Sequence, residues 1–426
     1  MKLSNPSTWS TQIQRAALAL ISVFPGSMPA QEANPFAEVI RSTPWLSPQE
    51  ELQSFQVPKG FSVQLVASEP QIAKPMNMAI DARGRVWITE TVEYPYPVGE
   101  NETGRDAIKI LEDTDGDGSA DKITTFAEGL NIPIGILPME DGAIAFSIPY
   151  IYRFYDDDGD DRADRREILY GRLGYERDTH GMTSGFRKGL DGWIYACHGF
   201  NNTSTITGAD GHSITMNSGN TYRFRPDGSR VEQNTWGQVN PFGLTWDDRG
   251  YLYSADCHTF PIYQLISGAY YPSFGKPHDG LGFAPTMMGH LHGSTAIAGV
   301  AFYEASAFPE EFHNNLFVGN VMTGRINRDT LNYHGTSPAA QEEKDFLISS
   351  DPWFRPVDIQ LAPDGSLFVA DFYNRVIGHY EAPLDHPGRD RTSGRIWRIV
   401  YNNNDEAQSS KSYDIDWTEA CIDTLY

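Results

Sequence analysis

Cysteine is scarce in this sequence: Cys197, Cys257 and Cys421 are the three cysteines among 426 residues. Proteins that depend on disulfides carry many closely spaced cysteines, so this composition excludes a disulfide framework. The sequence also lacks a C-x-x-C-H motif, which excludes a c-type haem attached to this chain. A bridge between Cys197 and Cys257 would need an oxidising compartment, and the sequence favours two buried free thiols instead.

Positive charge is also in short supply. The chain has 33 Lys and Arg against 56 Asp and Glu, and its formal net charge is −23. Nucleic acids and anionic membranes repel such a protein, so neither is an expected partner. A solvated acidic surface is the simplest account of most of this charge.

The N-terminus carries the pattern of an export signal. Lys2 and Arg15 precede an apolar run at residues 16–24, and the mostly small residues at 27–30 are suited to precede a cleavage site. The apolar run is too short to span a bilayer, and no later stretch is long enough. We therefore expect a signal peptide at residues 1–30, no transmembrane segment, and a periplasmic or secreted protein.

One sequence pattern occurs six times: a tight turn, usually with Gly, is followed by a short β-rich run. The turns fall at residues 84, 142, 192, 250, 315 and 365, about 50 to 65 residues apart. A second apolar strand precedes each turn, as in FGLTWD before the turn at 250. Two strands around a tight turn, repeated at this period, are typical of propeller blades. The sequence therefore predicts an all-β fold, a six-bladed β-propeller.

The propeller is expected over residues 58–401. A strand at 61–67 precedes the first repeat and a strand at 395–401 follows the last. These two strands are predicted to pair and close the ring, because closure removes exposed sheet edges. Residues 31–57 are predicted to be a polar lead-in segment, and residues 402–426 a linker with a short tail.

Two acidic loops with similar spacing lie 43 residues apart. Their predicted metal ligands are the aspartates at positions 1, 3, 5 and 9, namely Asp113, Asp115, Asp117 and Asp121, and Asp156, Asp158, Asp160 and Asp164. Oxygens that converge in this way suit Ca²⁺, which takes roughly six to eight oxygen ligands. The second loop has Asp161 where the first has Gly118, and it has Glu167 at position 12. We expect structural calcium in both loops, and two solvated hairpin tips are the alternative.

Several polar side chains follow or flank the repeated runs: His180, Asn240, His258, Arg355 and Asp358. Residues at the same position in successive blades of a propeller face the same axis, so these groups are candidates to converge on one funnel. Together they would suit a polar ligand of about the size of a carbohydrate. For any one histidine, capping a loop or packing inside a blade is the alternative role.

Longer stretches around these residues resemble the soluble quinoprotein glucose and sorbosone dehydrogenase family. The similar stretches are His180-Gly181 followed by GLDGWIYACHG, NPFGLTWD starting at Asn240, residues 296–331 and residues 354–374. The chain is most similar to the bacterial branch often labelled membrane-bound dehydrogenase. The resemblance covers about residues 58–401 and implies a six-bladed propeller.

The resemblance also implies chemistry. It implies pyrroloquinoline quinone (PQQ) in the axial funnel with Ca²⁺, and His180 as the base that takes a proton from a sugar hydroxyl as hydride moves to the quinone. Asn240 matches the Asn of the family's Arg-Asn-Pro motif, and His258, Arg355 and Asp358 are further predicted cofactor-binding residues. A cytochrome c is the electron acceptor that the resemblance implies.

One residue departs from the family pattern. The position before Asn240 is Val239 instead of Arg, so a cation expected beside the carboxylates of the quinone is missing. Arg355 or Arg325 would have to replace it.

Three functions therefore fit the sequence. The first is an exported PQQ- and calcium-dependent sugar or alcohol dehydrogenase with His180 as the base. The second is a non-catalytic propeller that binds a carbohydrate or a partner. The third is a lyase or hydrolase on the same scaffold, which would need an acid/base pair such as His180 and Asp358.

Overall fold

The computed structural model describes residues 42–99, 101–273, 280–294, 296–378 and 382–402. The predicted signal peptide and the tail from residue 403 lie outside these residues, so export stays a prediction. Within the described ranges, no helix is both long and apolar enough to cross a membrane. The described chain consists mainly of β-strands, with one short α-helix and a 3₁₀ turn at Glu310–Phe312.

The described part of the predicted lead-in, residues 42–57, contains helix α1 (Pro48–Leu52) and strand β1 (Phe55–Gln56), and residues 31–41 lie outside the described ranges. Strand β2 (Phe61–Ser68) follows as the first strand of the propeller. Ser47 and Glu50 form a capping box at the start of the helix, in which each side chain accepts the backbone N–H of the other residue. Pro48 occupies the first turn, where its missing N–H costs nothing. Strands β1 and β2 join two different blades, so the chain crosses the junction between them as it passes from the lead-in into the propeller.

The first three blades are antiparallel sheets. Blade one contains β3 (Pro75–Ile80), β4 (Val86–Glu90), β5 (Asp106–Glu112) and β6 (Lys122–Leu130). Blade two contains β7 (Ile134–Met139), β8 (Gly142–Ser147), β9 (Tyr150–Tyr155) and β10 (Arg165–Gly171). Blade three contains β11 (Thr183–Lys188), β12 (Ile194–His198), β15 (Asn220–Phe224) and β16 (Val231–Trp236), with an inserted hairpin of β13 (Thr203–Thr207) and β14 (Ser213–Asn217).

The last three blades complete the ring. Blade four contains β17 (Asn240–Trp246), β18 (Leu252–Cys257) and β19 (Ile262–Leu265). Blade five contains β20 (Ile297–Tyr303), β21 (Asn315–Asn320), β22 (Arg325–His334), β23 (Ser337–Glu342) and β24 (Leu347–Ser349), and β1 adds to its outer edge. Blade six contains β25 (Pro356–Leu361), β26 (Leu367–Asp371) and β27 (Arg395–Tyr401), together with β2. The predicted six-bladed propeller is confirmed, and the repeated β-rich run is the second strand of every blade.

The ring closes within blade six. Strand β2 pairs antiparallel with β27, from Phe61 opposite Tyr401 to Ser68 opposite Arg395. Strand β27 in turn pairs with β26, so the N-terminal strand is the outermost strand of a sheet built from the C-terminal end of the propeller. The predicted closure by N- and C-terminal strands is therefore confirmed.

The innermost strand of every blade carries a shift in its pairing register. These strands are β3, β7, β11, β17, β20 and β25. Each contacts the innermost strands of both neighbouring blades. A bulge bends its strand and redirects side chains, here around the ring axis. Glycine permits the close approach: a Cβ added to Gly299 would lie 2.5 Å from the Cα of Asp358 in the next blade.

Apolar side chains fill the spaces between the blades. The packing between blades five and six is rich in aromatic rings, and Phe61 makes edge-to-face contacts there with Phe308, Phe312 and Phe346. Such contacts stabilise beyond the burial of apolar area by about 0.5–1.5 kcal/mol each. Cys197 and Cys257 are both buried free thiols, which confirms that prediction.

Candidate functional site at the ring axis

A cavity of about 670 Å³ opens at the centre of the ring. Bulged inner strands of five blades contribute apolar side chains to its wall: Met76, Ile134, Phe242, Ala298 and Val357. Loops at the ends of the strands add further apolar groups, among them Leu291, Val321, Met322, Phe372 and Ile377. Polar side chains are few, and the described lining is therefore mainly apolar.

His180 lies in this wall, just before the inner strand of blade three. Its Nδ1 is 2.9 Å from the hydroxyl oxygen of Tyr94, which lines the same cavity. Burial raises the pKa of Tyr94, so the hydroxyl stays protonated and can either donate to the imidazole or accept from it. The bond fixes the orientation of the ring and is compatible with both neutral tautomers of His180.

The backbone around His180 is held tightly. The backbone N–H of His180 donates to the side-chain carboxylate of Asp178 at 2.8 Å, and the Asn202 side chain donates to the carbonyl of Gly181 at 2.9 Å. A Cβ on Gly181 would lie 2.1 Å from the carbonyl oxygen of Phe200, so the chain needs glycine there. The imidazole is thus presented by a rigid segment.

Asn240 and His258 line the same cavity from blade four. Asn240 starts the inner strand and sits opposite Cys257, the last residue of the second strand. The Asn240 side chain accepts the N–H of Phe200 at 3.0 Å. His258 follows with φ of 80°, a left-handed conformation that ends the strand. The structure therefore brings His180, Asn240 and His258 together, as the repeat indicates.

Cys257 also lines the cavity, but its thiol is not a suitable nucleophile. Burial raises its pKa to about 12, and the thiol donates to the carbonyl of Ile297 at 3.1 Å. Nucleophilic cysteines instead have a lowered pKa and a stabilised thiolate.

Arg355 and Asp358 do not line the cavity. The buried Arg355 guanidinium donates to the backbone carbonyls of Val321 (2.6 Å), Asn374 (2.8 Å) and Arg375 (3.2 Å). Burial lowers its pKa to about 10. These contacts fasten the segments that follow β21 and β26, so Arg355 has a scaffolding position outside the cavity lining.

Asp358 serves the junction between blades six and one. Its carboxylate accepts the N–H of Met78 at 2.8 Å, at the bulge of β3, and the nearest Arg187 nitrogen is 3.8 Å away. The side chain is almost completely buried. It satisfies a backbone N–H that the bulge leaves unpaired.

Tyr94 was not predicted from the sequence. It follows β4, the second strand of blade one, by four residues, much as His258 directly follows β18, the second strand of blade four. The same rule of position would have found it. Phe372, directly after β26, is a second cavity residue that this rule would have added.

The aspartate loops join the outer strands of blades one and two. In each loop three predicted ligands converge, with one oxygen of each within 4.8 Å of the others: Asp113, Asp115 and Asp121, and Asp156, Asp158 and Asp164. Asp117 and Asp160 are outside these groups, and each accepts a backbone N–H two residues further on. Glu167 pairs with Arg165 at 2.7 Å.

The second loop adopts the turn of the first despite lacking its second glycine. Gly118 has φ of 94°, and Asp161 at the same position has φ of 67°. The Asp161 carboxylate accepts hydrogen bonds from Arg83 at 2.8 Å and Arg85 at 2.7 Å. These charge-assisted bonds offset the cost of the left-handed conformation.

Each loop also ties its blade to the preceding one. The N–H of Ala120 donates to the carbonyl of Val66 in blade six at 2.8 Å. The N–H of Ala163 donates to the carbonyl of Phe126 in blade one at 2.7 Å. Both alanines occupy position 8 of their loops, so the shape of each loop affects a contact between blades.

Comparison with known proteins places this propeller in a family. The sequence model of the family described as "Domain of unknown function (DUF7133)" matches residues 47–403. The chain belongs to the DUF7133 family. No curated protein matches its sequence.

Solved structures resemble the DUF7133 propeller in fold. A Carbohydrate-Active Enzymes family AA12 protein of Trichoderma reesei has a TM-score of 0.54 and 12% identity, covering 82% of this chain and 98% of that chain. The PQQ-bound form of aldose sugar dehydrogenase from Streptomyces coelicolor has a TM-score of 0.51 and 17% identity, and the match covers 81% of this chain and 99% of that chain. A glucose dehydrogenase has a TM-score of 0.51 and 14% identity, and the match covers 79% of this chain and 98% of that chain. At these identities the likeness establishes the fold, and it confirms the resemblance at that level.

The described lining of the DUF7133 cavity does not fit PQQ. The three carboxylates of PQQ call for charge-assisted partners, and none of the described lining residues is Lys or Arg. Val239 is completely buried outside the lining, and Arg355 is committed to backbone carbonyls. Arg325 pairs with Asp345 at 2.5 Å. Burying several carboxylates in a largely apolar cavity without cations is strongly unfavourable.

A buried carboxyl supports the Val239-Asn240 segment of the DUF7133 propeller. Asp256 accepts the N–H of Val239 at 3.2 Å and that of Asn240 at 2.7 Å. Burial raises the pKa of Asp256 to about 7. An exposed aspartate has a pKa of about 3.9. The folded protein therefore holds this proton more tightly than the unfolded chain, and the resulting stabilisation is complete below about pH 4 and lost as the pH rises through 7.

We expect this titration to appear in the Asp256→Asn variant, which mimics the protonated carboxyl. The difference in the free energy of unfolding, wild type minus variant, should decrease as the pH is raised from 4 to 7. The decrease should reach up to about 1.4 kcal/mol per pH unit. Urea denaturation at several pH values measures the difference. Asp210→Asn is the control: the hydrogen bond from the backbone N–H of His212 lowers the pKa of this exposed carboxylate, so its difference should stay nearly flat above pH 4. A pH-independent difference for Asp256→Asn would contradict the raised pKa.

Proposed function

We propose that the axial cavity binds an uncharged small molecule and that His180 exchanges a proton with a hydroxyl or carbonyl group of that molecule. The observation that carries this proposal is the imidazole of His180 in an otherwise mainly apolar wall, 2.9 Å from the Tyr94 hydroxyl. An imidazole oriented by a second group is suited to general acid–base work near neutral pH.

The chemistry of the wall argues for an uncharged ligand. Apolar side chains from five inner strands would cover the ligand's apolar faces, while Asn240, His258 and His180 offer hydrogen bonds at one side. A small number of polar groups in an apolar cavity is the usual arrangement for orienting a small molecule. A volume of about 670 Å³ admits a molecule of the size of a monosaccharide or larger.

An alcohol or sugar dehydrogenase is the reaction class that this arrangement supports best. The proton of the hydroxyl would go to His180 and the hydride of the same carbon to an uncharged quinone bound in the same cavity, which leaves a carbonyl product and a reduced quinone. The described lining favours an acceptor with little negative charge over PQQ. Non-catalytic binding of the same class of ligand is the second candidate, and the lack of cations in the described wall favours it over a PQQ enzyme.

The test combines two ligands with two variants of the full chain. Calorimetry would measure the affinity of an uncharged alcohol or sugar that raises the melting temperature, and of its deoxy analogue. His180→Phe keeps the size of the ring and removes its hydrogen bonds. We expect this variant to lose about 5- to 150-fold in affinity for the hydroxylated ligand and little for the analogue, because one hydrogen bond to a buried group is worth roughly 1–3 kcal/mol. The control His212→Phe, at an exposed hairpin position, should leave both affinities unchanged.

Equal losses for both ligands would contradict a hydrogen bond from His180. Micromolar binding of PQQ to the wild type would contradict the argument from charge. If a hydroxylated ligand reduces an added dye, His180→Phe should lower the turnover rate by about 10² to 10⁴. Binding without any dye reduction would favour the non-catalytic alternative.

We also propose that both aspartate loops bind Ca²⁺. Three converging carboxylates in each loop, with a turn that the backbone maintains in both, support this proposal. Calcium here would be structural, since none of the six aspartates lines the axial cavity.

A further inference from the structure

Two histidines and a buried aspartate meet in blade five, outside the axial cavity. His290 and His292 lie in the segment before β20, and Asp329 lies on β22. The Nε2 of His290 is 2.6 Å from one Asp329 oxygen, and the Nε2 of His292 is 2.8 Å from the other. The Asp329 and His292 side chains are 0% and 1% exposed, and that of His290 is 20% exposed.

We propose that His290, His292 and Asp329 bind a divalent transition-metal ion, with Zn²⁺ as the best match. One donor atom from each residue lies within 4.8 Å of the others. Two imidazole nitrogens and one carboxylate oxygen suit Zn²⁺, whereas Ca²⁺ and Mg²⁺ take mainly oxygen ligands. Three protein ligands leave a fourth tetrahedral position for water or another ligand, next to the partly exposed His290.

A second observation points to an ion. The Nδ1 of His292 is buried without a hydrogen-bond partner, and it lies 3.4 Å from a Glu342 carboxylate oxygen. A neutral His292 that gives its only N–H to Asp329 leaves its bare Nδ1 facing the negative Glu342, so the ring must either carry a second proton or bind an ion. An ion on Nε2 instead places the ring proton on Nδ1, where it points towards Glu342. Metal-binding histidines commonly make this second contact with a carboxylate.

Neighbouring contacts hold the two histidines in place. Asn320 on β21 donates to the carbonyl of His292 at 3.0 Å. The N–H of Ala340 on β23 donates to the carbonyl of Met287, three residues before His290, at 2.7 Å. The segment is thus anchored to the same sheet that carries Asp329.

The position of the cluster gives the ion a role. Leu291, between the two histidines, lines the axial cavity, as do Gly293 and Ser294. An ion bound behind them would fix this part of the cavity wall to blade five. The inference rests on the cluster alone and does not depend on the function proposed for the cavity.

The test uses the full chain with calcium in excess to occupy the aspartate loops. Zn²⁺ titration by calorimetry should show one equivalent bound tightly, and Co²⁺ should give visible absorption bands of a histidine-ligated site. His290→Ala and Asp329→Asn should each lower the affinity by at least about 100-fold and remove the Co²⁺ bands. Glu342→Gln should lower it by about 10- to 100-fold, as expected for a group that supports a ligand.

Matched controls keep the result unambiguous. His334→Ala changes an exposed histidine at the end of the same strand as Asp329 and should bind as the wild type does. His290 is the most exposed of the three ligands, so its variant should retain the circular dichroism spectrum of the wild type. No stoichiometric Zn²⁺ binding, or binding that survives His290→Ala unchanged in a folded protein, would overturn the proposal.

Discussion

Replacing Arg395 by Met should lower the free energy of unfolding by about 3–5 kcal/mol, the usual cost of breaking a buried ion pair from one side. The Arg395 guanidinium is completely buried; it forms ion pairs with Glu51 of α1 and, at 2.8 Å, with Glu69. It also donates to the carbonyl of Leu46 at 2.5 Å and stacks 3.6 Å from the centre of the Tyr373 ring. One side chain on β27 therefore holds the lead-in against the strand pair that closes the ring.

The loss comes mainly from the carboxylates that remain. Burial and the nearby Asp371 raise the pKa of Glu51, and Arg395 is the cation that opposes this shift. Without it, Glu51 must stay buried and uncompensated or take up a proton. The double variant Glu51→Gln with Arg395→Met should therefore recover part of the lost stability, since replacing both members of a buried pair costs less than removing one.

Denaturation by urea, followed by fluorescence, measures these differences. Arg325→Met is the matched control, because that guanidinium is 44% exposed and pairs with Asp345 near the surface. Such pairs contribute about 1 kcal/mol or less. A loss for Arg395→Met no larger than that of the control would contradict the assigned role.

Removing calcium should produce the second large effect. An ion that binds only the folded protein stabilises it by about 2.7 kcal/mol at 100 times its dissociation constant, and there are two proposed sites. Without the ion, three carboxylates with oxygens within 4.8 Å of one another repel in each loop. The contacts of Ala120 and Ala163 with the preceding blades would loosen with the loops.

Melting curves in calcium and in EDTA test this expectation. The melting temperature should rise with calcium, and Asp113→Asn and Asp156→Asn should each remove about half of the rise. Asp157→Asn is the control, because this second-loop carboxylate pairs with Arg165 at 2.8 Å instead of joining the converging group. A melting temperature that ignores EDTA, or a calcium effect that persists unchanged in both ligand variants, would contradict the proposal.

The sequence predicts the ring well because its signals are local. A tight turn between two apolar strands determines a hairpin, and six such hairpins at a regular period indicate the blades. The same logic placed His180, Asn240 and His258 at the axis, since each lies near the end of a blade strand. It could not show that β1, with two residues, adds to blade five, because so short a strand has no pattern of its own.

Arg355 and Asp358 show where residue type misleads. Both lie on or next to an inner strand, as a cavity residue would, yet they bind backbone groups of other segments. Whether a buried charge faces a cavity or an unpaired carbonyl depends on how neighbouring blades pack, which the sequence of one blade does not contain. The mainly apolar wall has the same origin, because the bulges decide which side chains reach the axis.

The pairing of β2 with β27 constrains how the protein can be made. Synthesis delivers β2 early and β27 last, and β27 lies between β2 and β26. Until residues 395–401 have left the ribosome, both neighbouring strands present unpaired edges, the surfaces through which β-proteins associate wrongly. The nascent chain must therefore keep the unpaired edges of β2 and β26 apart from other chains until β27 has been made. A product that ends before β27 would be an open arc of blades.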